Sequence, residues 1–484
     1  PGVPVAPSHE VLPVFREFER TSTTTVEAYL RPKVSAYLEQ VEDRLAGRGV
    51  GALRVMTSSG GTRAPAAASV HAAGLALSGP AGGVIGAQLV GAAVGRANLL
   101  TLDMGGTSAD ASLVADGTPV SDGWGAVAGI PLALPAVLIE TVSAGGGSIA
   151  RVDEGGALRV GPESAGAVPG PACYGRGGER PTVTDACLIL GWLDAATPLA
   201  DAVRLDPAAA VRALGRLGPA AGSDPPAIAA GIVAVATAAM ARALKRVSVA
   251  RGLDPRRMAL LPFGGAGPLF GCQLADALGM DTIVIPPHPG ALSALGLAAA
   301  PERVDLLAAL HRPLAALDRD TLAHAFQPLL EAGARQLPGA TLERFADCRF
   351  AGQGYEVTVP AASDDPASVG EAFRNAHRRR YGHLGAGGSI ELVNLRVVAL
   401  RAPPPLKLDG AGRPTRPGPG SPRARAMVVG GRPLTGTVWA LDDLTPGLTI
   451  PGPAVLAGRD ATALIEPGWR GTAHQTGAVV VTRA

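Results

Sequence analysis

The sequence is poor in cysteine, in aromatic residues and in charge. Four cysteines (Cys173, Cys187, Cys272, Cys348) are scattered over 484 residues, and none forms a CxxC pair. That excludes a disulfide scaffold, a zinc knuckle and a dithiol redox motif, and it fits a reducing, cytoplasmic setting. Aromatics make up 4% and charged residues 17% of the chain, and 43 Lys+Arg against 41 Asp+Glu leave a net charge of +2. No basic or acidic excess marks a nucleic-acid or membrane-surface partner. The longest uncharged apolar run, 227–241, is Ala-rich, short for a membrane span, and followed by Arg242, Lys245 and Arg246. It reads as a buried helix. The opening residues, PGVPVAPSHEVLPVF, lack the basic stretch and apolar core of a signal peptide. They also lack an initiator Met, so a processed chain or a piece of a longer one is expected.

Hydrophobic residues, at 47%, suffice for a large core and argue against wholesale disorder. Glycine (65) and proline (43) together exceed a fifth of the chain, with no three-residue period that would indicate collagen. The length implies two or three domains. Between residues 15 and 50, Val34, Tyr37, Leu38, Val41 and Leu45 recur at helical spacing. Residues 53–61 read as a strand and Ser/Gly turn, and 78–95 as a Gly-rich loop running into a helix. Residues 97–117 read as strand, tight turn, strand; 160–185 as loop; 227–250 as a long helix; 258–280 as strand, Gly turn, helix; and 282–287 as a strand. The alternation of strands and helices is an α/β signature. The expected organisation is a core over 1–300, an α+β continuation over 301–400, a Pro/Gly/Arg linker over 401–425 and a small β-rich unit over 426–484.

The strongest local motif is Leu102-Asp103-Met104-Gly105-Gly106-Thr107-Ser108-Ala109-Asp110. An apolar strand ends at a carboxylate, and two glycines then let the backbone turn with no Cβ in the way. The N–H groups of such a turn, with the Thr107 and Ser108 hydroxyls, can converge on phosphate oxygens, and Asp103 and Asp110 can hold Mg²⁺ at a nucleotide phosphate. The alternative is a plain hairpin turn with capping aspartates. No Lys follows the glycines, which excludes a P-loop. Phe263-Gly264-Gly265-Ala266-Gly267-Pro268 joins a strand to a helix and suits either a ligand at the helix start or close helix–sheet packing. It is not GxGxxG, and Asp281 begins a strand where a dinucleotide fold would end one. Gly145-Gly146-Gly147 is either an anion nest or a mobile loop, and Gly82-Gly83 either an anion-binding helix start or a cap. His377 and His383 flank Tyr381 in HRRRYGH, where a solvated helix end is favoured over a metal site. Arg378, Arg379 and Arg380 read as a solvated face, and Cys173 as structural.

Taken in order, FREFERTSTTTVEAYL, MTSSGG, LSGPAGGVIGA, LDMGGTSAD, VSAGGGSIARVD, GPESAGAVPGPACYGRGGERPTVTDACLILG, FGGAGPL, IPPHPGALSALGL, RFAGQGYEVTVP and GPAVLAGRDATALIEPGW resemble the hydantoinase A/5-oxoprolinase family, which includes acetone and acetophenone carboxylase subunits. The resemblance spans nearly the whole chain. It implies an α/β core of the actin/sugar-kinase/heat-shock-ATPase (ribonuclease H-like) type, using ATP and Mg²⁺. It implies phosphorylation of a cyclic-amide oxygen, with a hydantoinase B-type partner completing ring opening. A carboxylase subunit or a non-catalytic assembly subunit is the alternative.

Under this resemblance Asp103 (the metal ligand), Gly105, Gly106 and Thr107 form the phosphate/metal loop, with Asp103 and Asp110 catalytic. Gly264, Gly265, Ala266 and Gly267 form the nucleotide turn, and Gly145, Gly146 and Gly147 face the same cleft. Three departures stand out. The family's usual first domain, with a DxGGTxTD-type loop, is missing and is expected on a separate chain or lost by truncation. Glu140 and Phe270 each stand where the family usually has His. If either His serves the substrate, the reaction differs from 5-oxoproline opening or is lost.

Overall fold

The computed structural model describes residues 5–122, 125–127, 129–196, 199, 203–218, 224–383, 388–403, 405, 406, 408 and 422–484. Most of the linker expected over 401–425 lies outside the described residues. The chain forms two compact units, each assembled from three segments: Pro1–Gly82, Ser121–Val137 and Leu297–Pro405 make the first, and Gly83–Val120, Leu138–Gly296 and Leu406–Ala484 the second.

In the first unit a six-stranded sheet runs in the order Val55–Met56, Thr62–Arg63, Glu302–Pro313, Ile390–Arg401, Thr341–Phe350, Val357–Pro360. The helices Arg319–Gln336 and Pro366–Tyr381 bury Leu322, Phe326, Val369 and Phe373 with Leu395 and Val397 of the sheet. The helical spacing after residue 15 resolves as the helix Glu17–Ala46, whose buried Glu27 accepts hydrogen bonds from the N–H groups of Ala72 (3.1 Å) and Ala73 (2.8 Å). The HRRRYGH segment departs from the expectation at one residue. Arg378, Arg379 and Arg380 are solvated, but His377 turns inward, 1% exposed, against Gln353 and the His383 carbonyl. Among the described residues no cluster of metal-ligating side chains occurs there or elsewhere.

The second unit holds the glycine motifs. Its strands are β1 (Leu99–Met104), β2 (Ala109–Ala115), β3 (Ile139–Val142), β4 (Ala259–Phe263), β5 (Thr282–Ile285), β6 (Thr449–Pro451), β7 (Trp469–Ala473) and β8 (Val479–Arg483). They lie in the order β3-β2-β1-β4-β5-β8-β7-β6. β1, β2 and β3 form an antiparallel meander, whereas β4 and β5 run parallel to β1. The near-continuous apolar sequences of β1 and β4 follow from burial on both faces.

Four helices matter to the site: α1 (Ser78–Ala93), α2 (Val183–Ile189), α3 (Pro225–Val247) and α4 (Gly271–Leu278). The Ala-rich run is α3. It starts on an Asp224 cap with Pro225 at its first position, and it buries Ile228, Ile232, Ala236, Met240, Ala243 and Val247 along one stripe. α1 begins at Ser78, so the expected Gly-rich loop is helix from its first residue, with Pro80 tolerated in the first turn. A Cβ on Gly83 would lie 2.6 Å from the Phe263 ring, so this glycine serves close packing. Strands fill most of residues 426–484; β6, β7 and β8 extend the main sheet, and Arg423–Val429, Arg432–Ala440, Ala454–Ala457 and Thr462–Ile465 form a separate four-stranded sheet.

Candidate active site

β1 and β2 pair so that Asp103 and Asp110 stand directly opposite each other. Both are half-buried, and no Lys or Arg pairs with either among the described residues. Burial, then the neighbouring Asp110 charge, raises the Asp103 pKa from 3.8 to about 6, against a lowering hydrogen bond from Ser293. Burial also raises Asp110, opposed by the Thr141 hydroxyl, which donates to its Oδ1 at 2.6 Å. The site thus holds two adjoining carboxylates whose charge nothing in the described protein neutralises. That is the electrostatic situation in which a divalent cation is favoured.

The turn between these strands has two unlike sides. On the open side, Gly105, Gly106 and Thr107 are exposed. The Gly106 and Thr107 N–H groups and the Thr107 and Ser108 hydroxyls find no acceptor among the described residues. On the inner side, the Gly105 carbonyl accepts from Gly146 N–H (3.0 Å) and the Gly106 carbonyl from Gly147 N–H (2.6 Å). Gly145 N–H donates to Ser148 Oγ at 2.8 Å. The triple glycine is therefore neither of the two things its sequence suggested. It is buried, not mobile, and its three N–H groups are spent inside the protein, so they are not free to hold an anion. Its glycines are required by proximity: a Cβ on Gly145 would lie 2.5 Å from the Thr107 carbonyl carbon, and one on Gly147 2.9 Å from the Gly106 carbonyl oxygen.

The second glycine turn abuts the first. β4 is in register with β1, Phe263 beside Asp103. Gly264 follows at φ +79°, where a Cβ would meet both Asp103 Oδ1 and the Met104 carbonyl oxygen at 2.5 Å. Its N–H donates to the Pro289 carbonyl (2.9 Å), and Ala266 N–H to the Met104 carbonyl (3.1 Å). Gly265 is exposed, and Gly267 is buried against β1. Asp103, Asp110, the Gly105–Thr107 turn, the triple glycine and the Gly264–Gly267 turn thus lie together at one end of β1 and β4. Four further residues join them. Thr141 and Ser293 hold the carboxylates, Thr184 bonds the Gly146 carbonyl, and Asp460 accepts from Gly290 N–H (2.9 Å) beside Gly265. Of these only Thr184 lay in a legible motif, the Thr182-x-x-Asp185 capping box. Asp460 comes from a distant segment with no local signal.

The two departures from the family pattern have different surroundings. Glu140, on β3, forms an ion pair with Arg246 of α3 at 2.6 Å. Phe270 is wholly buried, edge-on to Trp192 with ring centroids 6.3 Å apart, so it is a core residue. Cys173 is also structural: burial pushes its thiol far up, which removes the reactive thiolate.

Residues 20–305 match the hydantoinase/oxoprolinase family. Along its full length the chain is 36% identical to an uncharacterised protein of Methanocaldococcus jannaschii, of which it covers 73%. Over 97% of its length it is 33% identical to caprolactamase subunit alpha of Pseudomonas jessenii, covering 70% of that protein. Over 96% of its length it is 30% identical to 5-oxoprolinase 1 of Arabidopsis thaliana, of which it spans 38%. Among solved structures, the ATP-dependent caprolactamase from Pseudomonas jessenii superposes with a TM-score of 0.83 at 31% identity, over 99% of this chain and 72% of that one. Nucleotide-free acetone carboxylase superposes with a TM-score of 0.77 at 25% identity, over 99% of this chain and 71% of that one. The mixed α/β chain belongs to the hydantoinase/oxoprolinase family.

Proposed function

We propose that this chain is the nucleotide-binding component of an ATP-dependent enzyme that phosphorylates the carbonyl oxygen of a cyclic amide and so prepares the ring for opening. The observation that carries the reading is the pair of abutting turns. One offers free N–H groups beside two uncompensated carboxylates, and the other places Gly264 and Gly265 next to Asp103. The antiparallel meander continued by two parallel strands supports a ribonuclease H-like core of the actin/sugar-kinase/heat-shock-ATPase type.

The residues fit the groups this reading requires. Mg²⁺ needs only one or two carboxylates beside phosphate oxygens and water, and Asp103 with Asp110 can supply them. Bound there, the ion would neutralise charge on the phosphates. The Gly106 and Thr107 N–H groups and the Thr107 hydroxyl would receive phosphate oxygens, and the exposed Gly265 would leave room for the rest of the nucleotide. In the reaction an O–P bond forms at the amide oxygen while the bond to the ADP leaving oxygen breaks. Water then adds to the ring carbon and the C–N bond breaks with a proton gained by nitrogen, which leaves an acyl phosphate; a second water cleaves that phosphate, giving the carboxylate and inorganic phosphate. Positioning and charge neutralisation carry such a transfer. A hydantoinase B-type partner would complete the hydrolysis.

The test is ATP hydrolysis by the full chain with such a partner, in the presence of 5-oxoproline, hydantoin or caprolactam. Amide-dependent ADP release is expected, and its absence across the panel overturns the reading. The likeness to acetone carboxylase supports a second reading, a carboxylase subunit, which requires turnover to depend on bicarbonate.

A further inference from the structure

We propose that Thr184 is a positioning residue that aims the phosphate-binding N–H groups through a relay of peptide planes; this rests on the nucleotide-binding reading of the Gly105–Thr107 turn. In a trans peptide the carbonyl of one residue and the N–H of the next point in opposite directions across one rigid plane. Fixing a carbonyl on one side therefore fixes the following N–H on the other.

The relay starts at α2. The Thr184 hydroxyl and the Thr184 N–H both donate to the Gly146 carbonyl, each at 2.8 Å. That plane also carries the Gly147 N–H, which is thereby turned the opposite way, onto the Gly106 carbonyl at 2.6 Å. The Gly106 carbonyl shares its plane with the Thr107 N–H, which must then face away from the buried glycines, to the open side. In parallel, the Gly146 N–H grips the Gly105 carbonyl at 3.0 Å and turns the Gly106 N–H outward. Two consecutive donors are presented together, and neither has an acceptor among the described residues that would have to be given up before a ligand binds. A glycine turn standing alone would exchange such orientations freely, because glycine tolerates the flipped planes.

The start of the relay is itself anchored. Thr182 and Asp185 form a complete capping box. The buried Asp185 carboxylate also accepts from the N–H groups of Ala172 (3.3 Å) and Cys173 (2.7 Å), so Thr184 sits on a fixed first turn. Space is equally constrained, since a Cβ on Gly146 would lie 2.8 Å from Thr184 Oγ1.

The experiment compares the full chain with Thr184→Val, which keeps the shape and loses the hydroxyl, and Thr184→Ser, which restores it. ATP affinity is measured by calorimetry, and amide protection by hydrogen exchange. Loss of one such hydrogen bond corresponds to about a tenfold change. Thr184→Val should bind ATP about tenfold more weakly and lose protection at the Gly146 and Gly147 amides, while α3 keeps its protection. Thr184→Ser should return to within about twofold of the parent. The relay is overturned if Thr184→Val leaves the protection of Gly146 and Gly147 unchanged, if protection falls evenly through the unit, or if Thr184→Ser fails to restore what Thr184→Val loses. Should the parent bind no ATP, the functional reading fails while the exchange measurement still judges the relay.

Discussion

Replacing Asp103 by Asn should make the ligand-free protein more stable while abolishing its nucleotide-dependent activity. The Asp103 carboxyl titrates at about 6 against an ordinary 3.8, because burial and the facing Asp110 disfavour its ionised form. A carboxyl whose pKa is raised by folding binds its proton more tightly in the native state than in the unfolded chain. The contribution of this group to stability is therefore greatest below about pH 4 and is lost as pH rises from about 4 to about 6. The difference of roughly two units corresponds to about 3 kcal/mol of cost carried at pH 8. Asn keeps the shape, carries no charge and still presents a carbonyl to Ser293. In urea unfolding followed by the fluorescence of Trp192 and Trp469, both buried in the second unit, parent and variant should coincide near pH 4. By pH 8 the variant should be ahead by up to about 3 kcal/mol. Mg²⁺-ATP should raise the stability of the parent and not of the variant, because only the parent keeps the site that ligand binding stabilises. An Asn variant that falls further behind at pH 8 than at pH 4 would refute the argument, since it would mean that the fold stabilises the charge.

Substitutions at four further positions probe the architecture, each read by chemical denaturation. Gly264→Ala should cost more than about 3 kcal/mol, against about 1–2 kcal/mol for Gly117→Ala. Both glycines have positive φ, but a Cβ at 264 meets atoms at 2.5 Å whereas one at 117 meets nothing within 4 Å. Phe270→His, which restores the residue usual in the family, should cost about 2–4 kcal/mol and bring no gain in turnover, because the ring is sealed in the core against Trp192. Asp185→Ala should cost about 3 kcal/mol or more, with Asp185→Asn intermediate, since it strands the buried donors of Ala172, Cys173 and Thr182.

Much of the second unit was legible before its structure. β1, the glycine turn and β2 follow from an apolar run that ends at Asp103 and resumes at Ala109, and α3 follows from its Ala-rich run closed by Lys245 and Arg246. What failed were readings that depended on what lies opposite a residue. The start of α1 looked like a loop because glycine has low helix propensity. Gly83 and Gly86 are nevertheless the positions where the helix approaches Phe263 and Leu292 too closely for any side chain. His377 follows the same rule in reverse: three neighbouring arginines suggested solvent, yet its place on the helix points it inward.

The candidate site divides along the same line. Sequence alone determined the local chemistry: a carboxylate at the end of a buried strand, glycines where the backbone must turn and membership of a family read from ordered motifs. Those features depend on residue type and short spacing, which are written locally. Only the tertiary structure decided that Asp103 faces Asp110, with no Lys or Arg paired to either among the described residues, and that Gly264 abuts Asp103. Only it decided that Asp460 reaches Gly290, and that the triple glycine spends its N–H groups holding another turn. These are relations between segments far apart in the chain, set by strand register and the direction of each peptide plane, and no local pattern encodes them.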